Sequence, residues 1–242
     1  MGDVVVTGST GIGGAVAAAL GERAVTIGRG GQIRADLSLL GETARAAGEV
    51  VARGRPLDAI VCCAGVFALR AARTAEGLER AYVLNYLSRF LLVRRLLPVL
   101  RPDGRVVLVA NAGKYRDTPG EPRWGLRVSG RTQFANDLFA VELAERRPEL
   151  AVSCVFPGLV STRVFRDAYG VPGPLRRVMD ALQRRVGADP AEAAATPVEL
   201  ATGVRRASGF YGPACAPIPV PRRVRDGRRR ALWARSEELV TV

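Results

Sequence analysis

The residues most readily tied to chemistry stand near the start of the chain: Thr7-Gly8-Ser9-Thr10-Gly11-Ile12-Gly13-Gly14, where an apolar strand-like run gives way to an alanine-rich helical pattern. Glycines at such a turn let the backbone approach a pyrophosphate, and the amino end of the following helix offers free N–H groups and partial positive charge to an anion. A turn of this kind could also be a tight structural connection. Its place between a first strand and a first helix favours nucleotide binding. Further on, Ile27-Gly28-Arg29 puts a guanidinium where an NAD-selective site would carry a carboxylate for the ribose 2′-hydroxyl. That cation suits the 2′-phosphate of NADP(H), although in an arginine-rich chain Arg29 could be one more surface charge.

Two absences exclude chemistry. With no histidine, a Ser-His-Asp or Cys-His nucleophile, a histidine base and a histidine-bound metal are all unavailable. Lys114 is the only lysine, followed by Tyr115. Cys62, Cys63, Cys154 and Cys215 lack the paired spacing of a zinc site or secreted disulfide framework, so buried free thiols and no metal are expected. The net charge of +13 rests on arginine, and with abundant Ala, Gly and Val it suggests a high-GC bacterial genome. The tail Arg222, Arg223, Arg225, Arg228, Arg229, Arg230 could attract nucleic acid, but no aromatic residues interleave with it, so nucleic acid is an unlikely partner and an acidic carrier protein a better one.

Positioning these residues requires an α/β framework. Strands are predicted at Val4–Thr7, Ala24–Ile27, Gly31–Ala35, Ala59–Cys63, Arg105–Ala110 and Ala151–Phe156. Helices are predicted at Ala15–Leu20, Leu39–Arg53, Ala75–Leu97 and Thr132–Arg147, the last with Phe134, Leu138 and Val141 on one face. Beyond them the chain reads as less regular, with loops at Pro172–Pro174 and Pro213–Pro221 and a closing helix over Arg228–Val240. The 242 residues suit one domain, 1–242, with substrate loops and a C-terminal segment at 157–242. No apolar run is long enough to span a membrane and no signal is readable, so a cytoplasmic protein without a membrane partner is expected.

These residues, with Asp36-Leu37, Cys62-Cys63-Ala64-Gly65, Asn85 and Pro157-Gly158, resemble the short-chain dehydrogenase/reductase superfamily in order and spacing. Gln133 to Leu138 with Glu142-Leu143-Ala144, Ser208 to Tyr211, and Leu232 to Leu239 look most like its retinol-dehydrogenase and WW-domain-oxidoreductase branch. The resemblance implies a three-layer Rossmann-like, doubly wound parallel sheet of about seven strands in the order 3-2-1-4-5-6-7, and often a dimer. By position it implies that Gly8, Ser9, Thr10, Gly11, Ile12 and Gly13 line the pyrophosphate. Arg29, Asp36 and Leu37 would then lie at the adenosine end, Cys63, Ala64 and Gly65 by the ribose, and Pro157, Gly158 and Thr162 by the nicotinamide. Three features depart from the family. The turn reads equally as Gly8, Gly11, Gly14; Cys62 and Cys63 replace paired asparagines; and a helix is missing between the second and third strands.

In the family a tyrosine protonates the substrate carbonyl as hydride arrives, a lysine four residues later tunes it, and a serine steadies the carbonyl. By alignment Ser129, Gln133 and Asn111 stand at those positions here, and of the four usual residues only Asn85 survives. A serine hydroxyl is too weak an acid, and glutamine carries no charge to tune it. Asn85, Asn111, Ser129 and Gln133 would instead be neutral donors able to stabilise charge on a carbonyl oxygen. The expectation is a non-redox step (enolisation, cyclisation or elimination) on a hydrophobic, polyketide-like carbonyl compound of bacterial secondary metabolism. Phe67, Trp124, Leu126, Phe165 and Tyr169 would wall the pocket. Two alternatives stand beside it: an NADPH-dependent ketoreductase using Tyr115 and Lys114, and a catalytically silent NADP-binding partner protein.

Overall fold

The computed structural model describes residues 1–114, 126–162, 164–166, 168–204 and 207–241, with side chains from Gly130 onward in the helix that begins at Leu126. Runs of valine, isoleucine and alanine make strands that are apolar on both faces, as a sheet covered by helices on each side demands. They are β1 (Asp3–Thr7), β2 (Ala24–Gly28), β3 (Ile33–Arg34), β4 (Leu57–Cys62), β5 (Leu100–Val109), β6 (Ala151–Val155), β7 (Gly209–Tyr211) and β8 (Pro217–Ile218). The sheet order is β3-β2-β1-β4-β5-β6-β7-β8. The seven-strand parallel order implied by the resemblance is therefore present, with β8 added antiparallel to β7.

Alternate residues of each strand feed two cores. Val5, Ile60, Val106 and Val152 face α2 (Leu40–Ala52), α3 (Arg80–Tyr82), α4 (Ser88–Leu96) and α5 (Leu126–Arg146). Val4, Val61, Val107 and Val155 face α1 (Gly11–Leu20) and α7 (Pro190–Thr202). The chain runs outward from β1 to β3 and returns to β4, so a crevice opens between the carboxyl ends of β1 and β4, where folds of this kind bind ligands.

Several boundaries differ from expectation. The third strand contracts to Ile33–Arg34, because only these residues pair with Ile27 and Gly28 after a four-residue link that holds no helix. The helix expected over Ala75–Leu97 starts at Arg80. Residues before it form a turn in which Gly77 has φ +78° and the N–H of Thr74 donates to Leu78, and Glu79 then caps the helix by accepting from the N–H of Tyr82 at 2.6 Å. A π-helical turn, Val83–Leu87, joins α3 to α4 and contains Asn85. Residues 157–242 are more regular than predicted: α6 (Gly173–Val186) and α7 fill much of them, and β8 falls inside the expected loop at Pro213–Pro221. Pro174 lies in the first turn of α6, where its missing N–H costs nothing, so the Pro-Gly-Pro signal marks a helix start rather than a loop. The last helix, α8 (Arg228–Leu239), docks on α4, α5 and the π-helical turn: Trp233 packs against Phe90 of α4 and Phe139 of α5, and Ser236 Oγ is bonded to Tyr86 Oη of the turn at 2.7 Å.

Candidate functional site

The crevice is built from the glycine turn upward. Gly8 (φ +89°) and Gly11 (φ +55°) occupy the left-handed region that disfavours other residues. A Cβ on Gly13 would collide with the carbonyl oxygen of Gly8 and lie 2.9 Å from that of Thr7, so this glycine sets the close approach of α1 to β1. Gly14 is held against Ser9 in the same way, 2.9 Å from its carbonyl oxygen, so both readings of the turn retain a structural reason. Thr10 precedes α1 in extended conformation and makes no side-chain cap, which leaves the first-turn N–H groups of Gly11, Ile12 and Gly13 for an external acceptor. A cradle that side chains would fill, ending in uncapped N–H donors, fits a diphosphate.

Neighbouring loops close on this cradle. Thr7 Oγ1 accepts from the N–H groups of Cys63 (3.0 Å) and Ala64 (3.1 Å), locking the segment after β4 beside Gly8. A Cβ on Gly11 would lie 3.1 Å from the Thr162 methyl, so the loop after β6 reaches the glycine turn. Pro157 and Gly158, the latter at φ +80°, begin that loop. On the side of β2 a Cβ on Gly30 would lie 3.1 Å from Ser9 Oγ, which places the exposed Arg29 at the same corner as the turn. Asp36 Oδ1 accepts from the N–H and hydroxyl of Ser38 at 2.9 and 2.7 Å, and these bonds with nearby Arg80 and Arg29 outweigh burial and hold its carboxyl below the usual range. The side chain of Leu37, implied at the adenosine end beside Asp36, is buried in the core.

Of the two thiols here, Cys62 is buried and Cys63 half-buried. Burial pushes Cys62 up to about 11 and Cys63 to about 12, so both are protonated at neutral pH despite the nearby Arg89. Among the described residues no group of His, Cys, Asp or Glu could hold a metal.

The expected quartet of neutral donors comes together only in part. Gln133 Oε1 accepts the N–H of Asn111 at 3.1 Å, joining α5 to the end of β5 and leaving the two amide hydrogens of Gln133 as donors. Asn85 leaves the set: its Oδ1 accepts from the N–H of Val66 (2.8 Å), and its amide donates to Val66 O (2.9 Å) and Thr132 Oγ1 (3.4 Å). It is spent on holding the loop after β4. Ser129 lies in α5, its side chain outside the described residues, as are Tyr115, Trp124 and the side chain of Leu126. Lys114 ends a turn closed on Asn111 O, exposed, with Nζ 5.0 Å from the centre of the Phe156 ring. Phe67 and Phe165 stack edge to face at 5.2 Å, and the N–H of Leu69 donates to Tyr169 O, so the loops after β4 and β6 are zipped together. The Tyr169 hydroxyl is committed to Glu79 at 2.9 Å, and burial first, then that carboxylate, pushes it above its ordinary value.

Buried arginine is the feature that sequence reasoning missed. Arg89 donates to Val109 O, Asn136 Oδ1 and Ala64 O, tying β4, β5 and α5 beneath the crevice. Only its apolar neighbours Phe90 to Val93 hinted that this face is interior. The expected cationic tail is likewise partly structural: Arg229 pairs with Glu142 (3.0 Å) and Glu145 (2.5 Å), and Arg223 donates to Gly113 O.

A family model described as enoyl-(acyl carrier protein) reductase matches residues 4–209. The chain belongs to the short-chain dehydrogenase/reductase family. This short-chain dehydrogenase/reductase is 34% identical over 199 residues to human dehydrogenase/reductase SDR family member 13, a match covering 76% of this chain and 52% of that protein. It is 30% identical over 200 residues to mouse retinol dehydrogenase 14, covering 77% and 60%, and 28% identical over 227 residues to human WW domain-containing oxidoreductase, covering 85% and 54%. The chain thus spans about half to three fifths of the curated relatives it matches. Among solved structures it superposes on an uncharacterised protein from Mycobacterium paratuberculosis (TM-score 0.72, 24% identity, covering 100% and 94% of the two chains). It also superposes on the 3-alpha-hydroxysteroid dehydrogenase of Pseudomonas sp. B-0831, solved with NADH (TM-score 0.66, 23% identity, covering 86% and 94%). The short-chain dehydrogenase/reductase fold of this chain is thereby shown, with the resemblance to the retinol-dehydrogenase and WW-domain-oxidoreductase branch carried by named relatives.

Proposed function

We propose that this chain, working as one domain, binds NADP(H) in the crevice between β1 and β4 and acts on a hydrophobic carbonyl compound by a non-redox step. A nicotinamide cofactor, when bound, supplies a site for hydride exchange. Gly8, Gly11, Gly13 and the first-turn N–H groups of α1 would hold its diphosphate, and Ser9 with Arg29 its 2′-phosphate. The observation that carries the reading is the bond from Asn111 N–H to Gln133 Oε1. It holds the carboxamide of Gln133, which the alignment puts at the family's lysine position, against the end of β5, and this supports a site of hydrogen-bond donors in place of a tuned acid. Such donors stabilise negative charge developing on a carbonyl oxygen, which favours enolisation, cyclisation or elimination over reduction. Without a positioned acid, carbonyl reduction would lose about 10²–10⁴ in rate.

One observation favours a second reading. The Lys114 ammonium sits over Phe156, beside the loop that opens with Pro157, and this supports NADPH-dependent ketoreduction with Lys114 and the adjacent Tyr115, which lies outside the described residues, as a rebuilt acid. The deciding experiment combines NADPH fluorescence titration with turnover of a panel of apolar ketones, including linear β-polyketones. The non-redox reading expects saturable NADPH binding and a product isomeric with the substrate or dehydrated, with no NADPH consumed. Stoichiometric NADPH oxidation that is lost in Tyr115→Phe establishes the ketoreductase instead. Binding without any product change leaves the silent partner protein as the function.

A further inference from the structure

Helix α6 is mounted inside out. Its polar residues Asp180 and Gln183 are buried, and Gln183 Nε2 donates to Val160 O at 2.6 Å and Thr162 Oγ1 at 3.3 Å. Its large apolar residues point away: Leu175, Val178, Leu182 and Val186 are 47, 64, 59 and 57% exposed. Their spacing of three and four residues puts them on one stripe of the helix. Leu159, whose carbonyl accepts from the N–H of Ala188 just beyond the helix, is exposed as well. These are five of the eight exposed large apolar residues among those described, so the apolar surface of the molecule is concentrated here rather than scattered.

The charges around the stripe indicate what covers it. Arg176, Arg177, Arg184 and Arg185 are exposed on the same helix, whereas its one acidic residue, Asp180, is buried and paired with Arg184 at 2.6 Å. An apolar stripe edged by arginine is the pattern of a helix that lies in the headgroup region of a bilayer, its apolar side in the acyl boundary and its cations among anionic lipids. We infer that α6 docks this protein on an anionic membrane surface. No described helix is long and apolar enough to cross a membrane, so the contact is peripheral. The expectation of no membrane partner rested on the lack of a spanning segment and does not bear on it. The inference is independent of the reaction at the crevice. It has a consequence for it all the same: Gln183 ties the docked helix to Thr162, which abuts Gly11, so the loop beside the glycine cradle would sit close to the lipid interface.

The test uses the full chain in sedimentation with vesicles of phosphatidylcholine alone and of phosphatidylcholine mixed with the anionic lipid phosphatidylglycerol. Expected are binding to the anionic vesicles only, weakening with salt, and roughly tenfold loss of partitioning in Val178→Glu/Leu182→Glu and in Arg177→Glu/Arg185→Glu. All four positions are exposed, and an unchanged far-ultraviolet spectrum and melting curve confirm that the variants fold. Absence of binding to anionic vesicles overturns the inference, as does equal binding by both variants, which would assign the attraction to the general positive charge. A dimer in size-exclusion chromatography that Val178→Glu/Leu182→Glu dissociates, with no vesicle binding, would make the stripe a contact between copies and also overturn it.

Discussion

The backbone N–H of Asn111 and the side-chain Oε1 of Gln133 are 3.1 Å apart, so the end of β5 is pinned to α5 by a glutamine amide. Replacing Gln133 with leucine leaves that N–H without its acceptor, at a cost of about 1–3 kcal/mol. In a chain of this size the melting temperature should fall by roughly 2–12 °C. Gln133→Glu, which keeps an acceptor oxygen, should recover most of the loss. Differential scanning calorimetry of the two variants checks this; equal losses would show that the bond contributes nothing specific.

Gly13→Ala should be far more damaging than its single methyl suggests, since that Cβ would collide with the carbonyl of Gly8. The turn must shift, with about 1–3 kcal/mol of destabilisation and loss of NADPH binding. Gly48→Ala, in α2 with open space around the new Cβ, is the matched control and should be neutral or stabilising by about 0.5–1 kcal/mol. Urea denaturation paired with nucleotide titration separates the two effects.

Arg29 stands exposed at the corner shared by Ser9 and Gly30. If it pairs with a 2′-phosphate, Arg29→Ala should weaken NADPH by about tenfold or more, the value of a charge-assisted hydrogen bond, and leave NADH within about twofold. Calorimetric titration with both nucleotides reads the ratio directly.

Asp137 should give the protein a pH dependence near neutrality. Burial pushes its carboxyl up to about 7, against the opposing bonds from Gly113 N–H and the Cys154 thiol and the pull of Arg223. Between the ordinary value of 3.8 and about 7 the folded protein holds a proton that the unfolded chain has released. Stability from this group is therefore present at low pH and declines as pH rises through that window, by at most roughly 4 kcal/mol. Asp137→Asn should flatten the decline, measured by isothermal denaturation at about pH 5 and about pH 7, which both fall within that window.

Arg229 is buried against Glu142 and Glu145, where α8 meets α5. Arg229→Ala leaves the buried Glu142 with Arg146, at 2.7 Å, as its remaining cation, and the expected cost of the lost charge-assisted bonds is about 1.5–3 kcal/mol. Raised hydrogen exchange confined to α8 and the facing turns of α5 would show that the pair seats the C-terminal helix; uniform protection would refute that role.

The sheet was legible because its signals are local. Apolar runs such as Val4 to Val6 and Val106 to Val109 can be buried on both faces only between helix layers, and the glycines of the first turn answer to backbone geometry within eight residues. Helices α6 and α7 were not legible, since Pro172-Gly173-Pro174 at the start of α6 and Pro197 inside α7 read as breaks, and α6 buries its polar side. The start of α4's helical run was misread for a similar reason: the cap at Glu79 resembles any other charged helix residue in sequence.

What the amino-acid sequence determined alone is the first six strands, the glycine turn between β1 and α1 and the residue types available at the crevice, because each follows from short-range pattern and composition. Only the tertiary structure decided how those residues are used. Asn85 is spent on Val66, Gln133 meets Asn111, Arg89 and Asp137 are buried, and the apolar stripe of α6 faces outward. Each outcome depends on which groups from distant segments share one volume, where desolvation and a competing hydrogen-bond partner set a side chain's role, and neither is encoded in neighbouring residues.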